Sequence, residues 1–150
     1  MASTISAATL QVQILEDIEL NGVKRGSRSY HTFKNIKQID ERVMTIPTYE
    51  VDVLLLSSSA AAGTYSTNSF KYARLTNLDD TNYVNVTLLS GSDGSKSVQK
   101  LLPKTSMMIT DLALSGSCAG VAFGSFSNMT AVKASANSAA VDLSLFVATT

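Results

Sequence analysis

The chain of 150 residues has one cysteine, one histidine, two prolines and no tryptophan, and each scarcity removes a class of protein. A lone thiol, Cys118, cannot close an internal disulfide, so this is neither a stapled secreted module nor a Cys-based zinc domain. Charge is scarce as well: Asp, Glu, Lys and Arg make up 16% of the chain, against roughly 25% in ordinary soluble domains. Twelve basic residues balance twelve acidic ones, which argues against nucleic-acid binding by overall charge. No apolar run approaches the length of a membrane span; the best, Val51–Leu56, is interrupted by Asp52. Met1–Leu15 carries no Lys or Arg, so it lacks the basic start of a secretory signal.

Catalytic and metal motifs are equally thin. There is no GxSxG elbow, and His31 lies in a strand-like run rather than in a triad pattern. Cys118 sits among Gly116, Ser117 and Gly120 with no base nearby to lower its pKa, and reads as a small apolar residue. Asp79, Asp80 and Asn82 could offer oxygen ligands to calcium, but the EF-hand spacing is missing and these are also common turn residues. The glycines from Gly116 to Gly124 lack the Gly-Lys-Ser/Thr ending of a phosphate cradle. Asn85-Val86-Thr87 and Asn128-Met129-Thr130 match the glycosylation pattern and are read as coincidence. No cofactor, metal or small-molecule substrate is expected.

What is present is small hydroxyl chemistry on a strand-like rhythm. Ser and Thr fill 36 of 150 positions. Leu10, Val12 and Ile14 alternate with Gln11, Gln13 and Leu15, the period of a half-buried strand. Asn21-Gly22 between Ile18-Glu19-Leu20 and Val23 suits a type I′ hairpin turn. Further strands are expected around Tyr30–Asn35, Val43–Ile46, Val51–Leu56, Tyr72–Asn77, Tyr83–Leu89, Lys96–Leu102, Ser106–Leu114, Met129–Ser135 and Val141–Ala148. One helix is expected over Asn35–Arg42, and a single helical turn at Ala60–Ala62. Many short strands at this spacing predict an all-β protein, an antiparallel β-sandwich of jelly-roll-like form. A single domain over residues 1–150 with an N-terminal arm of about residues 1–9 is expected, the arm touching neighbouring chains.

Two segments stand out as interface candidates. Between Glu19 and Asp40 there is no acid, while Lys24, Arg25, Arg28, Lys34 and Lys37 supply five positive charges beside His31. Such a stripe fits an acidic protein surface, or simply guards the edge of a solvated hairpin. Phe123 and Phe126 lie in the Gly/Ser-rich stretch Gly116–Asn128, where aromatic anchors either fold back on the body or meet a neighbour. Charges also thin along the chain, with 12 in residues 1–50, eight in 51–100 and four in 101–150. An ion-poor final third is easily desolvated, which suits packing against other subunits. Lys24, Arg25, Arg28, Phe123 and Phe126 are therefore the candidate interface residues.

The run Tyr72-Ala73-Arg74-Leu75-Thr76-Asn77, then Leu78-Asp79-Asp80-Thr81-Asn82-Tyr83-Val84-Asn85-Val86, then Leu101-Leu102-Pro103-Lys104-Thr105-Ser106, resembles small structural proteins of tailed bacteriophages. Glu16–Val23 and Thr45–Thr48 share that character, and the resemblance spans about residues 10–150. It implies a virion β-sandwich with no catalytic residues, most simply a capsid decoration (cement) protein. Its partners are then the major capsid protein and copies of itself, a homotrimer among them, with no nucleic acid or membrane. The place implied is the virion, assembled in the host cytoplasm. A tail, neck or fibre-associated component and a receptor- or carbohydrate-binding module are the alternatives; an enzyme is not expected.

Overall fold

The computed structural model describes residues 4–90, 96–112 and 129–150. Among them lie thirteen strands and no helix: β1 (Ala8–Leu15), β2 (Ile18–Leu20), β3 (Val23–Arg25), β4 (Arg28–Ile36), β5 (Gln38–Ile46), β6 (Val51–Ser57) and β7 (Thr64–Ser66), followed by β8 (Phe70–Asn77), β9 (Val84–Ser90), β10 (Lys96–Leu101), β11 (Ser106–Ile109), β12 (Met129–Ala136) and β13 (Val141–Thr149).

Eight strands build the body. β11, β8, β13 and β5 form one sheet in that order. β10, β9, β12 and β6 form the other, extended at one edge by the short parallel strand β7. If β5, β6 and β8–β13 are counted from one to eight, the two sheets read 1-8-3-6 and 2-7-4-5. Every pair among the eight is antiparallel. The chain changes sheet at nearly every connection, which is the jelly-roll arrangement. The expected all-β sandwich is therefore what forms.

Alternation explains the packing. In β13, Val141, Leu143, Leu145 and Val147 point between the sheets, while Asp142, Ser144 and Phe146 face outward. Val84, Val86 and Leu88 of β9 and Ala73 and Leu75 of β8 meet them in one continuous core. The low charge of the final third has an internal cause here: β12 and β13 are inner strands of the two sheets and are mostly buried. For its described strands, the expectation of an ion-poor surface offered to other subunits is thus corrected. One ion pair decorates the outer face, Lys133 Nζ to Asp52 Oδ1 at 3.3 Å, between register partners of β12 and β6.

The helix expected over Asn35–Arg42 does not form. Opposite Thr9 the register admits two residues, Lys34 and Asn35, and Asn35 takes φ 62° as the extra residue of a β-bulge. Beyond it the Lys37 amide donates to the Thr149 carbonyl at 3.0 Å, and the next nine residues pair with β13 as β5. Asp40 and Arg42, which make this segment look polar and solvated, turn inward and find partners there. The helical turn expected at Ala60–Ala62 is also absent. Ala61 and Thr64 exchange backbone hydrogen bonds of 3.2 and 3.0 Å around Gly63, whose φ is 75°.

Residues 8–36 form a long two-stranded ribbon. β1 pairs with β4 from Ala8–Ile36 to Leu15–Arg28, and β2 with β3 at the tip. Asn21 and Gly22 close the tip with φ of 52° and 74°, as a type I′ turn requires. Between the two ladders the ribbon kinks. The Glu16 amide donates to the Ser27 carbonyl at 2.8 Å, and Ser27 Oγ donates to Glu16 Oε2 at 2.7 Å. Gly26 takes φ 150° here, and a Cβ on it would stand 2.1 Å from the Glu16 carbonyl oxygen, so only glycine fits. Exposed residues 4–7 lead directly into β1.

Candidate interaction surface

The base of the ribbon is anchored by aromatic packing. Antiparallel register puts Leu10 with Phe33 and Val12 with His31 on one face. Leu10, Val12 and Phe33 pack on Ile36, Tyr72 and Ala148 at the outer face of the four-stranded sheet. The Phe33 and Tyr72 rings are 5.4 Å apart, and Tyr72 stands edge-on to Phe146 at 6.1 Å. Burial pushes the Tyr72 phenol pKa up. From β5 the ribbon crosses β13 and β8 toward the edge strand β11. There Tyr30, His31 and Thr32 share an open groove of about 380 Å³ with Tyr72, Met108 and Thr110.

Past that edge the ribbon stands alone. Glu16, Asp17, Lys24, Arg25 and Arg28 line a shallow concavity made entirely of ribbon residues. At the tip Ile18 is paired with Arg25 and Leu20 with Val23, so these four side chains share one face, while Glu19 and Lys24 share the other. Ile18, Leu20 and Val23 are 56%, 54% and 54% exposed. A two-stranded hairpin is marginal in water without a third strand or a packed face. Contiguous exposed apolar groups of this kind mark interaction sites.

The basic candidates all lie on the ribbon or at its root; Lys24, Arg25 and Arg28 meet around the concavity at the kink, although their side chains start from different faces of the ladders. Lys24 is opposite Glu19, Arg25 opposite Ile18 and Arg28 opposite Leu15. Lys34 lies at the bulge, and Lys37 joins β4 to β5. Phe123, Phe126 and Cys118 lie outside the described residues. Sequence reasoning passed over Ile18, Leu20 and Val23 as ordinary strand residues. The breaks at Glu16-Asp17 and Gly26-Ser27, set symmetrically about Asn21-Gly22, were the signal that this short hairpin stands apart.

The polar clusters elsewhere are occupied structurally. Tyr65 of β7 donates to Asp40 of β5, and Arg42 reaches the Val53 carbonyl at 2.9 Å, closing the sandwich edge between the sheets. Burial, then the hydrogen bond to Asp40, pushes the Tyr65 pKa up to about 12. In the β8–β9 loop, Asp79 Oδ1 accepts the amides of Thr81 at 2.7 Å and of Asn82. Those amides, Asn82's foremost, hold its carboxyl below the usual range. Lys104 pairs with Asp80 at 2.7 Å. No group of three His, Cys, Asp or Glu side chains converges among the described residues. No family model, curated protein or solved structure matches the chain.

Proposed function

We propose that the chain is a non-enzymatic structural component of a bacteriophage virion, a capsid decoration protein that binds the outer shell and reinforces it through subunit contacts. The observation that carries this reading is the ribbon, which holds an exposed apolar tip well away from a jelly-roll body. An element of this kind is stabilised by what it docks on. The body itself is of the type that recurs in viral capsids, lectins and cupins. Support also comes from how the carboxylates are used: Asp40, Asp52, Asp79 and Asp80 serve internal hydrogen bonds and ion pairs.

In this reading the partners are the major capsid protein and other copies of the chain. Copies seated at symmetric positions bridge neighbouring capsomers and raise the barrier to rupture by the packed genome. Each contact is small, and many copies make the sum strong. The test is incubation of the purified chain with expanded empty capsids. Saturable binding at many copies per shell supports decoration, and absence of binding contradicts it. A tail or neck component is the second reading, favoured by the reach of the ribbon, since a protruding arm suits closure of a ring.

A further inference from the structure

We propose that the ribbon tip docks head to tail on the outer face of β5 in a second copy, placing Ile18, Leu20 and Val23 against Ile39 and Val43, and Arg25 beside Glu41. For its purpose the contact rests on the building-block reading above; for its chemistry it rests on two surfaces of this chain.

The first surface is the tip, where three apolar side chains and one arginine share a face. The second is the edge strand β5. Its inward positions Met44 and Ile46 pack into the body, so Ile39, Glu41 and Val43 alternate outward. Ile39 is 64% exposed and Val43 62%. An acid flanked by two uncovered apolar groups thus faces solvent on one edge, and a base flanked by three stands on the tip. The side chains of Arg25 and Glu41 have no ion-pair or hydrogen-bond partner among the described residues. Opposite charge set in matching apolar surroundings fixes register and suppresses wrong pairings.

Topology makes the contact intermolecular. The ribbon leaves the body past β11, at the far edge of the sheet from β5. Beyond that edge the ribbon kinks at Glu16 and Ser27 before its tip, and three strand spacings separate β11 from β5 by about 14 Å. Within one chain the two surfaces do not cover each other, since Ile18, Leu20, Val23, Ile39 and Val43 all stay more than half exposed. A donor on one edge and an acceptor on the other make a heterologous contact, which closes rings or propagates. The tip is small, and each contact falls below the area of about 1,200 Å² of a standard interface. Single contacts are therefore weak, so association is read at high protein concentration.

The test uses the full chain without shell protein, so its result is independent of capsid binding: loss of self-association leaves decoration standing, and the reverse also holds. Leu20→Asp disables the tip and Val43→Asp disables the face; both positions are exposed. Sedimentation velocity on the wild type is expected to show oligomers that grow with concentration. Each variant alone is expected to weaken association at least tenfold, and an equimolar mixture to stop at a dimer, with one good tip on one good face. A wild type that stays monomeric at every concentration, variants that assemble normally, or a mixture that remains monomeric overturns the proposal. Charge exchange gives a second arm: Arg25→Glu and Glu41→Arg each weaken association, and together they restore it. Failure of the double variant to recover likewise overturns the contact.

Discussion

Phe33 of the ribbon and Tyr72 of the body stand 5.4 Å apart, ring centre to ring centre, and this pair pins an otherwise exposed ribbon to the sandwich. Tyr72 is buried because Phe33 covers it, although it lies on the outer face of its sheet. Phe33→Ala is expected to cost about 2 kcal/mol, less than a fully buried phenylalanine because this one is half exposed. Hydrogen exchange should accelerate in β1 and β4 while β9, β12 and β13 keep their protection. Uniform loss of protection across the body contradicts the assignment of Phe33 as a local anchor.

Two backbone positions set where the ribbon bends. Asn35 at φ 62° tolerates glycine, whereas Asn35→Val costs roughly 1–2 kcal/mol because a β-branched residue resists the left-handed region. Gly26→Ala pushes a methyl into the Glu16 carbonyl and should distort the kink. Thermal melts check the Asn35 substitutions, and the amide spectra of residues 14–28 check Gly26→Ala.

Asn77 is fully buried and ties the β8–β9 loop to its surroundings. Its side-chain amide donates to the carbonyls of Asn82 at 2.9 Å and Leu101 at 3.2 Å, and its oxygen accepts the Asp79 amide at 3.0 Å. Asn77→Ala leaves these backbone groups without their partner. About 3 kcal/mol of stability should be lost, a fall in Tm of about 6–12 °C for a domain of this size. An unchanged Tm would show that water replaces the amide.

Two groups give the stability a defined pH dependence. Tyr65, raised from 10.0 to about 12, favours the neutral phenol in the folded state. Its contribution is complete below pH 10 and is lost as pH climbs through about 12. Phenolate absorbance should show late-titrating tyrosine, and Tyr65→Phe should remove part of that late fraction. Asp79 acts in the opposite sense: its lowered pKa stabilises the fold above the ordinary carboxylate range, and that contribution disappears as pH falls through the folded value. Asp79→Ala should flatten the acid limb of the stability profile.

Most of the body was legible because inward and outward residues alternate, as in Leu143, Leu145 and Val147 against Asp142, Ser144 and Phe146. The turn at Asn21-Gly22 was legible because its φ angles demand those residues. The stretch from Asn35 to Arg42 was not, since its polarity reflects inward partners supplied by Tyr65 and Val53, far away in sequence. The interaction surface was half legible. Charge counting found the ribbon, but only the register shows that Arg25 shares a face with Ile18, Leu20 and Val23 while Lys24 does not. Ile39 and Val43 look like core residues in sequence, and they are exposed because β5 is an edge strand whose inward positions are Met44 and Ile46.

The central claim, that this chain is a building block of a virion, is tested most directly by its copy number in purified particles, read from a quantitative gel against the major capsid protein. The account predicts a fixed number of copies comparable to that of the shell protein itself. Absence of the chain from purified particles contradicts it.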